Sequence, residues 1–270
     1  MSELGAVAAL WRYPVKSMLG EELATAEVNQ RGLAGDRAYA VVDPSENRVG
    51  SAKIPHKWAR LYEFRAAYPD STAGAAQVTF PDRAVMMSDD PGLDAALSRA
   101  LGREVKFVSQ PPAGLRLEVA KPGTDPLTLE RTVDFPLVNP FFDFGPVHLL
   151  TTATLDGLRS LYPEGDFDPR RFRPNVIIDT PSQAGFVENG WVGRTLALGE
   201  EVRLRVIMPT GRCAATTLAH SGLPNDPDIL RTANRHNNGN VGVYATVVQG
   251  GLVRCGDGVR LIRLGDSLAV

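Results

Sequence analysis

Glycine and proline break this chain every few residues, and that punctuation constrains its fold more than any other feature. Twenty prolines and 26 glycines are spread along 270 residues. A helix interior tolerates neither well, so long helices are excluded over most of the length. The runs between breakers are mostly four to eight residues long and rich in Val, Leu, Ile and Tyr, which is the signature of strands. Strands are expected at Val7 to Tyr13, Ala24 to Val28, Ala38 to Val42, Arg60 to Ala66, Gln77 to Phe80 and Val105 to Val108. A second group follows at Val176 to Ile178, Thr195 to Leu198, Val202 to Met208, Gly242 to Gln249 and Val259 to Ile262. Pro209 is expected to stop the run before it, and Gly250-Gly251 reads as a hairpin turn.

Helical patterns are few. One is expected from about Pro91 to Leu101, with Asp90 as N-cap, Pro91 at the first position and Gly102 as the stop. Thr152 to Leu161 starts with a threonine cap and carries Leu155, Leu158 and Leu161 on one face. A short third helix is expected from Pro227 to about Arg235. The result is an α+β, β-rich chain whose strands suit barrels or sandwiches better than a doubly wound sheet. A polar, proline-containing stretch from Ala120 to Pro140 suggests two units, residues 1–125 and 126–270.

Twenty-nine basic and 31 acidic residues give a formal net charge of -2, which offers no general attraction to nucleic acid or anionic lipid. No run approaches the roughly 18 apolar residues that span a bilayer. The N-terminus lacks a basic region and a cleavage site, so a cytoplasmic protein is expected. Two cysteines cannot build a disulfide framework, and the spacing of Cys213 and Cys255 matches no zinc motif.

Four segments place a cation at the end of an apolar strand, beside a turn. Tyr13-Pro14-Val15-Lys16-Ser17 presents a lysine and a hydroxyl on a loop, a pair suited to an anion. Gly35-Asp36-Arg37 opens a strand with an arginine. In Arg170-Arg171-Phe172-Arg173-Pro174, an extended backbone would put Arg171 and Arg173 on one face, as a clamp for a phosphate. The fourth segment is Gly211-Arg212-Cys213. A neighbouring cation stabilises a thiolate, which favours a reactive or metal-ligating sulfur; a half-buried cysteine packed as a small hydrophobe is the alternative. Each segment alone reads more simply as an exposed, solvated charge. His56, His148, His220 and His236 have no metal-ligand spacing, and no Walker loop, dinucleotide fingerprint or nucleophile elbow occurs.

Taken in order, YPVKS, GLAGDRAYAVVD, RRFRPNVIID, MPTGRCAATT, Gly242-Val243-Tyr244 and Gly256-Asp257-Gly258-Val259 resemble the MOSC family. The resemblance is to members that carry the MOSC N-terminal β-barrel domain, in the arrangement of the mitochondrial amidoxime-reducing component and its bacterial relatives. It covers nearly the whole chain. It implies a MOSC-type β-barrel domain preceded by a smaller N-terminal β-barrel-like domain, with a few short helices. It also implies a molybdenum cofactor, a pterin dithiolene with a terminal phosphate. Cys213 would then be the catalytic residue and metal ligand, with Lys16, Ser17, Arg37, Thr151, Thr152, Arg173, Arg212 and Tyr244 holding the cofactor. The implied activity is reduction of small N-hydroxylated or N-oxide substrates, with electrons from a separate protein because no four-cysteine ferredoxin cluster is present. A persulfide carrier using Cys213 in cofactor sulfuration, and a non-catalytic cofactor-binding protein, are the alternatives.

Overall fold

A computed structural model describes residues 2–69, 74–120, 129–134 and 141–262. The expected division at 125/126 lies outside these residues. The chain is β-rich α+β. Seven strands close a barrel in the order Val176–Asp179, Val147–Thr151, Asn240–Gln249, Val202–Gly211, Thr195–Leu198, Gly258–Ile262 and Ser2–Arg12. The last strand returns to the first, pairing Leu10 with Val176 and Val7 with Ile178. Closure removes the open edges that would otherwise recruit foreign strands.

Alternate residues of these strands point inward. Leu196 and Leu198, Val202, Leu204 and Val206, and Val243, Ala245 and Val247 form one buried core with Val7 and Leu10. Six of the seven pairings are antiparallel; Val147–Thr151 and Val176–Asp179 run parallel. A parallel pair needs a crossover, and the helix Thr152–Leu161 supplies it. The Thr151 hydroxyl caps that helix by accepting from the Thr154 amide.

The preceding unit has a five-stranded sheet, ordered Lys106–Val108, Ala40–Asp43, Arg48–Val49, Arg116–Ala120, Leu129–Asp134, and a three-stranded one, Arg65–Ala67, Gln77–Thr79, Val85–Met87. Met18, Ile54, Trp58, Phe64 and Leu97 fill its core. The two units exchange strands. Ser2–Arg12 completes the barrel, while Gly251–Arg254 leaves it to pair with Thr25–Asn29. Four α-helices occur among the described residues, and none is long and apolar enough to cross a membrane.

Several expectations need correction. Arg60 to Ala66 is no strand: a 3-10 helix, Ala59–Glu63, precedes a short strand at Arg65–Ala67. Buried Trp58, Leu61 and Phe64 recur every three residues, which is the 3-10 period. Pro209 does not stop its strand, which runs to Gly211 with bulges on either side of the Met208–Pro209 pairings; bulges are where a sheet accepts proline. Gly250-Gly251 is not a hairpin, because the next strand joins another sheet. A side chain at Gly250 would strike the Val28 carbonyl oxygen at 2.4 Å, so glycine permits this crossing. Asp90 bonds the Gly92 amide in a turn, and the helix starts at Leu93. Val147–Thr151 was not expected as a strand. All five residues are buried, so the alternation that marks a half-exposed strand is missing.

Candidate functional site

Two loops from the first unit are stitched together before any side chain reaches the site. Val15 bridges Tyr39, Lys16 donates its amide to the Tyr39 carbonyl at 2.9 Å, and Arg37 donates to the Tyr13 carbonyl at 2.8 Å. The buried Asp36 carboxylate accepts from the Tyr13 amide at 2.7 Å and also pairs with the Arg37 guanidinium. Ser17, Arg37 and Arg173 all have positive φ, three of the seven such non-glycine residues described. L-residues enter that region at a cost, and such strain concentrates at functional sites.

These loops and the far unit enclose a cavity of about 90 Å³ that opens to solvent. A larger ligand would extend through its mouth. Seven of the nine expected residues line it: Lys16, Ser17, Arg37, Arg173, Arg212, Cys213 and Tyr244. Thr151 and Thr152 do not. The Thr151 hydroxyl donates to buried Glu188 at 2.8 Å, and Thr152 donates to Asp179 at 3.0 Å. Arg171 is also elsewhere. The backbone at 169–171 is a 3-10 turn rather than extended, and buried Arg171 donates to the carbonyls of Asp166, Thr216, Leu218 and Pro224. It fastens the segment that follows Cys213, and the expected Arg171–Arg173 clamp does not form.

Among the described residues the walls carry five cations, Lys16, Arg37, Lys53, Arg173 and Arg212, against Asp143 in the wall and Asp36 behind Arg37. The Arg173 guanidinium lies 4.2 Å over the Tyr13 ring and donates to the Met18 carbonyl; burial lowers its pKa. Arg212 donates to the Phe172 carbonyl at 2.9 Å, while its buried Nε has no partner among the described residues. Lys16 and Lys53 both pair with Asp143, at 2.6 and 2.9 Å. Burial alone would raise the Asp143 pKa, but the two lysines hold it far below the carboxylate range. Burial would likewise lower that of Lys53; Asp143 and the Cys213 sulfur outweigh it and raise the value. His148 is held neutral, its pKa pushed down to about 3 by burial and by Arg212, with Nε2 3.1 Å from the Val241 carbonyl.

Cys213 is partly exposed and follows the end of the strand Val202–Gly211. Its carbonyl is pinned by the Thr216 amide and hydroxyl at 3.0 and 2.9 Å. The Arg212 amide is pinned to the Gly239 carbonyl at 2.7 Å. The thiol thus stands on a fixed loop in a wall with excess positive charge. Such excess, with a buried guanidinium nitrogen unsatisfied, favours an anionic occupant.

Residues 138–260 match the MOSC domain, and residues 4–89 match the MOSC N-terminal beta barrel domain. The chain carries both domains. The MOSC domain supplies Asp143, Arg173, Arg212, Cys213 and Tyr244; the N-terminal barrel domain supplies Lys16, Ser17, Arg37 and Lys53. Human mitochondrial amidoxime reducing component 2 is 27% identical over 249 residues, covering 84% of this MOSC chain and 69% of the relative. Human mitochondrial amidoxime-reducing component 1 is 26% identical over 251 residues, covering 84% and 68%. The YUAD protein from Bacillus subtilis aligns at TM-score 0.49 and 10% identity over 95% of this chain and 94% of that one, too loose a likeness to bear on function.

Sequence reasoning missed Lys53, Asp143, Tyr62 and His148 in the wall. Lys53 follows Ser51-Ala52 before a proline-started helix, and Asp143 lies among phenylalanines beside the Ala120 to Pro140 stretch. Neither is a cation at a strand end, the signal that found the others.

Proposed function

We propose that this chain binds a molybdenum cofactor in the cationic cavity and reduces N-hydroxylated or N-oxide compounds with it. The observation that carries this reading is one wall holding five cations together with a partly exposed thiol. An anionic pterin with a terminal phosphate suits Lys16, Ser17, Arg37 and Arg173, which offer ammonium, hydroxyl and guanidinium donors. Cys213 would ligate the metal, and Arg212 beside it would offset thiolate charge. When bound, the cofactor supplies the two-electron redox chemistry that releases oxygen from an N–O group as water. The protein supplies placement: Tyr13 and Tyr62 back Arg173, and Asp36 fixes Arg37. Electrons would come from a separate redox protein. The match to the human amidoxime-reducing components supports the substrate class.

A persulfide carrier needs an accessible thiolate but no surrounding set of buried and half-buried cations, which is why the reductase is preferred. The test is metal and pterin analysis of protein purified under cofactor-replete conditions, with benzamidoxime turnover driven by an artificial donor. Cys213→Ala should lose molybdenum and turnover while pterin is retained. Molybdenum binding unchanged in that variant would refute the ligand assignment. Sulfane sulfur on Cys213 without molybdenum would favour the carrier.

A further inference from the structure

Asp143 already occupies two of the cations that an incoming anion would use. Its Oδ1 accepts from Lys16 at 2.6 Å and its Oδ2 pairs with Lys53 at 2.9 Å, so one carboxylate bridges two ammonium groups. It does so from a short arm with firm ends. Phe141 is buried and donates its amide to the Arg37 carbonyl at 2.8 Å. Gly145 lies so close to Tyr244 that a Cβ there would be 2.7 Å from the Tyr244 Cβ. Between these ends, Phe144 is 66% exposed, and its ring contacts are to Tyr244 at 6.2 Å and Lys53 at 5.6 Å.

A lysine engaged by a charged partner is not free to bind a ligand. Its ligand affinity is lowered by the fraction of molecules in which it is engaged. Conversely, a buried and a half-buried ammonium group without a counter-ion would repel each other and suffer desolvation. The arm answers the second problem and creates the first. We propose that Asp143 is an exchangeable counter-ion: it neutralises Lys16 and Lys53 while the cavity is empty, and a phosphate-type anion displaces it. This rests on reading the cavity as an anion site. A phosphate group brings up to two charges and three acceptor oxygens, enough to satisfy both lysines once Asp143 turns toward solvent.

The experiment uses the full-length, cofactor-free chain and inorganic phosphate as probe, titrated by calorimetry at constant ionic strength. Asp143→Asn should bind phosphate at least about tenfold more tightly than the native chain, the factor expected from removing a competing charged hydrogen bond. It should also melt at a lower temperature without phosphate. Equal or weaker phosphate binding would overturn the proposal. A second measurement does not depend on Asp143→Asn folding. Phe144→Trp, on an exposed position, should change emission as phosphate fills the site. A silent reporter while calorimetry records phosphate binding would mean that the arm does not move. Absence of phosphate binding in both chains would overturn it too. The cofactor reading fails separately: protein that takes up no molybdenum or pterin when purified under cofactor-replete conditions, while its cofactor-free chain shows the Asp143→Asn gain, would reject that reading and leave this one standing.

Discussion

At residue scale, burial decides what a cation or an imidazole does, and burial is what local sequence shows least. Arg171 and Arg173 stand two apart with similar neighbours. One is spent on backbone carbonyls and the other lines the cavity. Positive φ at Arg173 turns it out of register with Arg171, and that turn cannot be seen in the spacing. His148 makes the point testable. Its pKa is pushed down to about 3, first by burial and then by Arg212, against about 6.5 for a free histidine. As pH falls, the unfolded chain therefore takes up the proton first. The stabilisation is complete above about pH 6.5 and drains away as pH drops toward 3. His148→Asn, in urea unfolding of the cofactor-free chain, should show a shallower loss of stability between pH 6.5 and 4. Some slope will remain, because His220, pushed down to about 4 by burial and nearby arginines, titrates in the same window. A slope identical to the native chain would show that the folded state does not hold His148 neutral.

At element scale, half-exposed strands and the glycine stop of a helix were legible, because alternation and terminators are local signals. The runs at Gly242 and Val259 fall on observed strands, and Gly102 ends its helix with φ +70°. Fully buried Val147–Thr151 was hidden, and with it the position of Thr151. The family resemblance put Thr151 at the cofactor; the geometry makes it the hinge of the crossover. Its hydroxyl accepts from the Thr154 amide at 3.1 Å and donates to Glu188, which Thr154 also holds at 2.7 Å. Thr151→Val keeps the shape and removes both bonds. It should lower unfolding free energy by about 2 kcal/mol, the upper range for a lost cap, measured by urea denaturation with an unchanged m-value. Phosphate affinity should stay within error of the native chain. A large loss of phosphate binding, with stability preserved, would instead return Thr151 to the binding site.

At the scale of the molecule, the site exists because the two units are interwoven. Lys16, Arg37 and Lys53 come from one, Arg173, Arg212 and Cys213 from the other, and the strand Ser2–Arg12 belongs by sequence to the first and by pairing to the barrel of the second. Sequence gave each unit its β character but not this exchange, since strand order is a long-range property that local pattern does not encode. The consequence is that the MOSC barrel should not close without residues 2–12. Removing them takes Val7 and Leu10 from the barrel core and opens two edges, one on Val176–Asp179 and one on Gly258–Ile262. Exposed edges of that kind recruit other chains. A chain beginning at residue 13 should therefore elute as aggregates in size-exclusion chromatography and show no cooperative thermal transition. A synthetic peptide of residues 2–12, added during refolding, should restore some monomer by re-forming the missing pairings. A truncated chain that is monomeric and melts cooperatively without the peptide would show that the barrel closes on itself.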